Sequence, residues 1–307
     1  MKRLISTCAA SFLFGSAVHA APIAMEDQSQ IKVPAPADNI TYFQPPQQSD
    51  LPDNAYGKMV MDGYALFVDT KRQAPKFVGN GLNCTNCHLD QGRLANSAPL
   101  WGAYPMYPAY RKKNDKVNTF AERLQGCFQF SMNGGTPPAA DSREITALST
   151  YAYWLSTKAP TGVELPGRGY PDLPEPKAGY NLSRGAALYK DQCAVCHGDN
   201  GQGQKVGEDY VMPPLWGKDS YNWGAGMHRI NTAASFIKHN MPLGKANSLS
   251  DEQAWDVAAY INTHERPQDP RLVEGSVEKT RLKFHANDGV NVYGQTVNGV
   301  LVGQGTR

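Results

Sequence analysis

Two five-residue motifs dominate the chemistry available to this chain: Cys84-Thr85-Asn86-Cys87-His88 and Cys193-Ala194-Val195-Cys196-His197. In C-x-x-C-H the two thiols form thioethers with the vinyl groups of a haem, and the adjacent histidine reaches the iron. Structural zinc would need more Cys or His at short spacing, and neither motif has a second cysteine pair nearby. The motifs therefore predict two covalently bound haem c groups, with His88 and His197 as proximal ligands.

Each iron then needs a distal ligand. For the second haem, Met241 leads: it lies 44 residues after His197, in Asn240-Met241-Pro242, just before a terminal helix. Its rivals are Met212, beside the Pro213-Pro214 turn whose carbonyls suit orienting His197, and Met227, whose neighbour His228 is itself a possible ligand. The first haem has two candidates. Met132 lies 44 residues after His88, the same offset as Met241 from His197, and Cys127 lies 39 after it. Of the six cysteines, Cys8 sits at the extreme N-terminus and four belong to the motifs, so Cys127 is left over. The bland role for it is a buried inert thiol. Cations favour a metal-binding thiolate, and Arg111, Lys112, Lys113, Lys116 and Arg123 all precede it closely. Met132 runs into the turn Asn133-Gly134-Gly135 and lacks a following proline. Cys127 is the preferred ligand. The same cations suit a small dianion, through Arg forks and Lys point charges, although such residues are mostly solvated surface.

The elements that must position these groups repeat. Gly63-Tyr64-Ala65-Leu66-Phe67 precedes the first motif and Gly185-Ala186-Ala187-Leu188-Tyr189 the second. Ala98-Pro99-Leu100-Trp101-Gly102 follows the first and Pro213-Pro214-Leu215-Trp216-Gly217 the second. Each half then ends in an expected helix. Asp141 with Glu144, and Ser250 with Gln253, form capping-box patterns. Apolar residues follow at helical spacing: Ile145, Leu148, Ala152, Leu155, and Ala254, Val257, Ala258, Ile261. The order helix, haem motif, loop, ligand, helix resembles the class I cytochrome c plan. The expected fold is mainly α: two tandem class I cytochrome c domains joined by a Pro/Gly-rich linker, with an irregular N-terminal arm and a C-terminal tail. The boundaries drawn are a signal peptide at 1–20, the arm at 21–52, the first haem domain at 53–158, the linker at 159–177, the second haem domain at 178–266 and the tail at 267–307. The linker holds five prolines and three glycines. In the tail, 290–293 and 297–302 suggest a hairpin or an extended strap.

Met1-Lys2-Arg3, an apolar run from Leu4 to Val18 and Ala17-Val18-His19-Ala20 read as a secretory signal cut after Ala20, which places the mature chain in a bacterial periplasm. Cys8 fits a lipoprotein site poorly, since Thr7 precedes it and most of the apolar run follows it. No later stretch is long and apolar enough for a membrane span. Cleavage leaves 28 basic against 28 acidic residues, a balance that supports neither nucleic-acid nor membrane partners.

The run Tyr110-Arg111-Lys112-Lys113-Asn114-Asp115-Lys116-Val117-Asn118-Thr119, followed by Arg123 to Gly134, resembles the dihaem thiosulfate dehydrogenases, which are similar in turn to the SoxA haem subunits of sulfur oxidation. The likeness extends from about Tyr56 to Gly303 and includes the Asn298-Gly299-Val300-Leu301 tail. It implies coupling of two thiosulfates to tetrathionate, with two electrons released, at a catalytic first domain whose haem is ligated by His88 and Cys127. It implies substrate binding by Arg123 and by the Arg111 to Lys113 group. If Lys113 rather than Arg111 is the second basic residue, the bidentate fork is lost. Some relatives carry a ligating Lys directly before the second-haem Met; Asn240 stands there, so His197/Met241 ligation is expected. Electrons would leave through the second haem to a small cytochrome c or copper protein. Three other readings compete. A pure dihaem electron carrier would use Met132, a SoxA-like subunit would need a partner cytochrome, and a peroxidase would need an open haem position. The same centre could also reduce tetrathionate.

Overall fold

The computed structural model describes residues 40–111 and 114–306, so the expected signal peptide, most of the N-terminal arm, Lys112 and Lys113 lie outside the described residues. Two helical units follow one another, each built around a crossing of its first and last helices. In the first, α1 (Ala55–Val68) crosses α3 (Arg143–Leu155), with α2 (Phe120–Gly126) between them in sequence. In the second, α4 (Leu182–Leu188) crosses α6 (Asp251–Asn262), with α5 (Ile230–Asn240) packed against α6.

The repeated glycines explain the crossings. A Cβ on Gly63 would lie 2.1 Å from the Ala147 carbonyl oxygen, and one on Gly185 would lie 2.1 Å from that of Asp256. Only hydrogen fits between the backbones. The helices start where side chains can take up their first amides. Asn54 accepts from Tyr56 N and Gly57 N. Ser250 and Gln253 form the expected capping box of α6. At α3 the cap is Ser142, which accepts from Ile145 N, rather than Asp141. The expected box was one residue out of register because two good capping residues stand side by side. The apolar positions read for α3 and α6 are all buried except for a slight residual exposure at Ile261.

Each unit has its own apolar cluster, but the clusters exchange residues. Leu89 and Leu94, just after the first haem motif, belong to the second cluster. Tyr221 and Ala225, from the second unit, belong to the first, and Met227 touches both. Polar bonds also cross the seam. Gly81 N donates to Asp219 O at 2.9 Å, and Asn222 Nδ2 donates to Gln129 O at 3.0 Å. Asn240 Nδ2 donates to Asn96 O at 3.0 Å.

The described part of the arm lies on the first unit. Phe43 packs on Trp101, and Arg93 donates to Pro46 O at 2.7 Å. The tail returns along the second unit, where the Glu265 carboxylate accepts from Gly303 N, Gln304 N and Gly305 N. Its hairpin pairs only β5 (Thr296–Val297) with β6 (Val300–Leu301), turning through Asn298 and Gly299, both at positive φ. Two further two-stranded ribbons, β1 (Ala109–Arg111) with β2 (Lys116–Asn118) and β3 (Gln204–Val206) with β4 (Asp209–Met212), lie in the loops after each haem motif. No helix among the described residues is long and apolar enough to cross a membrane.

Candidate active site and haem centres

All five described cysteines are free thiols, so neither motif is closed as a disulfide. The two proximal histidines are oriented alike. His88 Nδ1 meets Ala98 O at 2.6 Å, and His197 Nδ1 meets Pro213 O at 2.8 Å. A carbonyl only accepts, so each Nδ1 carries the hydrogen and each Nε2 keeps its lone pair for a metal. Ala98 and Pro213 stand at matching places in the two repeats. Burial brings His88 down to about 4, against the opposing bond to Ala98 and with a smaller push from Arg123. Burial likewise lowers His197. Both rings are thus held neutral, the form that ligates iron. Burial pushes the Cys84 and Cys87 thiols up to about 12 and Cys193 to about 11. The residues present therefore fit two covalently attached haems.

After the β1–β2 ribbon, α2 runs into a π-helical turn, Cys127–Ser131, closed by Met132 N donating to Cys127 O at 2.9 Å. Thr119 and Glu122 cap α2 reciprocally and fix its start. Arg123, one helical turn before Cys127, donates from a guanidinium nitrogen to Cys127 Sγ at 2.9 Å. Its proximity to Cys127 raises the Arg123 pKa further, chiefly through charge attraction and against its own burial. Cys127 also contributes to the upward shifts of Cys84 and Cys87, so its sulfur shares their pocket. Met132 instead is 3 % exposed, within the first apolar cluster, and its carbonyl accepts from Gly79 N.

The other expected basic residues divide. Arg111 donates to the Tyr107 hydroxyl at 2.8 Å, and Tyr107 in turn lies within electrostatic range of Arg123. Lys116 does not join them. It pairs with Glu122 on an exposed face, because the β1–β2 ribbon turns it outward. Lys113 lies outside the described residues.

Tyr170 was not singled out in the sequence. It reaches over from the linker and donates to Cys87 O at 3.3 Å. Burial first, then Cys87 and Cys127, raise its pKa well above the ordinary phenol value, with Arg123 opposing. Its place beside a thiol 83 residues away carries no local signal.

In the second unit, Met241 caps the C-terminus of α5 and packs, partly buried, with Cys193 against the second apolar cluster. His228, a conceivable rival, is wholly buried and turned to Ala225 O and His285.

A family profile described as the SoxA/TsdA cytochrome c domain matches residues 75–161, and one described as cytochrome c oxidase, cbb3-type, subunit III matches residues 181–261. Over 306 residues the chain is 68 % identical to a thiosulfate dehydrogenase of Stutzerimonas stutzeri, covering 99 % of both chains. It belongs to the thiosulfate dehydrogenase family. A Thiomonas intermedia thiosulfate dehydrogenase is 53 % identical over 85 % of this chain and 82 % of its own. The solved as-isolated thiosulfate dehydrogenase (TsdBA) of Marichromatium purpuratum superposes with a TM-score of 0.83 at 50 % identity, over 87 % of this chain. The present chain spans 59 % of that longer one. As a family member, the chain has two cytochrome c domains and two covalently bound haem c groups.

Proposed function

We propose that this protein oxidises two thiosulfates to one tetrathionate, releasing two electrons, at the centre formed by His88, Cys127 and Arg123. The observation that carries the reading is the 2.9 Å guanidinium–sulfur contact between Arg123 and Cys127, within electrostatic range of Cys84, Cys87 and His88. The relatives named as thiosulfate dehydrogenases support the substrate. Cys84 and Cys87 would hold the first haem with His88 and Cys127 as iron ligands; Cys193 and Cys196 would hold the second, with His197 and Met241. The haems, when bound, supply one-electron acceptors, and thioether ligation raises the potential of the second.

The chain's own groups handle the anions. Arg123 donates to the Cys127 sulfur and presents a donor fork for an oxyanion. Arg111, held by Tyr107, adds a second positive charge, and Lys113 is a third candidate. Bringing two dianions together requires such offsetting charge. Cys127 would either serve as an iron ligand or bond the sulfane sulfur of thiosulfate, the two electrons released by that new S–S bond going to the two haems when bound. The reading leaves Met132 to the first apolar cluster, where its side chain packs. The boundaries proposed for these units are 53–158 and 178–266. The signal sequence supports periplasmic export, with a small cytochrome c or copper protein as acceptor and tetrathionate reduction as the reverse reaction.

Low-temperature EPR of the oxidised wild type beside Cys127→Ser tests the assignment. A low-spin thiolate-type signal lost in the variant supports it. Two His/Met-type signals unchanged by the substitution would remove Cys127 from the iron. Trapping of a Cys127–thiosulfate adduct by mass spectrometry separates the sulfur-bonding role from ligation alone.

A further inference from the structure

Away from both haem motifs, the tail and the second unit bring a set of buried polar side chains together. His228 comes from the segment before α5, and Asp269, His285 and Asp288 come from the tail. His228 is 0 % exposed, His285 1 % and Asp288 9 %. His228 Nδ1 meets Ala225 O at 2.6 Å. His285 Nε2 meets Asp269 Oδ2 at 2.9 Å. Both partners only accept, so both of those nitrogens carry hydrogen. In the neutral rings the lone pairs are then on His228 Nε2 and His285 Nδ1. Those two atoms face each other at 3.1 Å. Two lone pairs at that distance repel unless a cation, a proton on one ring or a metal ion, sits between them.

The third donor is in place. The carboxylate of Asp288 and one nitrogen of each histidine lie within 4.8 Å of one another. The outer hydrogen bonds, one to a carbonyl and one to a carboxylate, are the kind that orient metal-bound histidines and raise their basicity. Two ligands at ~2.0–2.1 Å from a tetrahedral zinc lie about 3.3 Å apart, within a few tenths of the observed spacing. The surrounding side chains are tied in by packing and hydrogen bonds. Tyr293 stacks on His285 with ring centres 4.1 Å apart, and Arg271 grips Asp269 at 2.6 and 2.9 Å. Arg229 donates to Asp288 at 3.2 Å and is 30 % exposed, so it can yield toward solvent.

We propose that His228, His285 and Asp288 bind a divalent transition ion of the zinc class, separate from the haem irons, which fastens the tail to the second unit. Two imidazoles and a carboxylate are a donor set that suits zinc. Asp269 acts through His285 as a positioning residue.

The test uses the full-length haem-loaded protein, stripped with a chelator and dialysed against zinc chloride, with zinc and iron counted by mass spectrometry. The expected result is about one zinc per two haem irons, with a rise in the melting temperature. Asp288→Asn and His285→Gln should lose at least about tenfold in zinc affinity, and Asp269→Asn about 10–100-fold, with unchanged haem spectra. Should the variants fail to fold, X-ray absorption at the zinc edge of the wild type should show two imidazoles and an oxygen donor at about 2.0–2.1 Å. Wild-type protein holding less than about a tenth of an equivalent, or variants holding zinc as tightly as wild type, would overturn the proposal and leave a proton shared between the rings as the cation.

Discussion

The two haem units share a proximal side and, in the proposed ligation, differ on the distal side. In both, an N-terminal helix passes the last helix at a glycine, a C-x-x-C-H motif follows, and a carbonyl from the next turn orients the histidine. For the distal position, the proposed ligation gives the second unit a thioether, Met241, at a helix C-terminus. The first offers a thiol in a π-helical turn, touched by a guanidinium. The shared half suits holding a haem, and the divergent half suits different tasks. A soft neutral thioether would favour relaying electrons, while a sulfur beside fixed positive charge would favour meeting an anion.

Substitutions can break or sharpen that contrast. The largest effect is expected from Cys127→Gly, which should lower thiosulfate turnover by about a thousandfold or more while both haems stay attached. Steady-state assays alongside pyridine haemochrome counts check this. Next come Gly63→Val and Gly185→Val. Each forces two backbones apart and should destabilise its unit by about 3 kcal/mol or more in guanidinium titrations. A marked inequality between the two would show that the crossings are not equivalent. Arg123→Lys keeps the charge but loses the fork, so KM for thiosulfate should rise roughly tenfold. If Arg111→Gln had the larger effect instead, the main anion contact would lie on the ribbon. Met241→His should lower the potential of the second haem alone in a spectroelectrochemical titration and leave thiosulfate binding unchanged. The smallest change is expected from Asn240→Ala, about 1 kcal/mol of stability from the lost bond to Asn96 O.

Much of this was legible in the sequence because it was local or repeated. The haem motifs, the paired Leu-Trp-Gly turns, the crossing glycines and the α6 capping box all lie within short windows. The α3 cap was misplaced by one because Asp141 and Ser142 are both good capping residues. Lys116 looked like part of the cationic site because closeness in sequence does not say which way a ribbon faces. Tyr107 and Tyr170 were missed for the opposite reason. Each acquires its role only when the chain folds it against Arg123, Cys87 or Cys127. The His228–His285 pairing was equally hidden, since 57 residues separate its members.

The exchange of Leu89 and Leu94 for Tyr221 and Ala225 across the seam limits how this protein can be taken apart. A surgeon cutting at the linker would leave each half with a wound of bare apolar surface. Neither half is a transplantable module. A graft from another cytochrome would have to bring its neighbour's contact residues with it, so the pair, and not the single domain, is the unit that can be inherited or engineered.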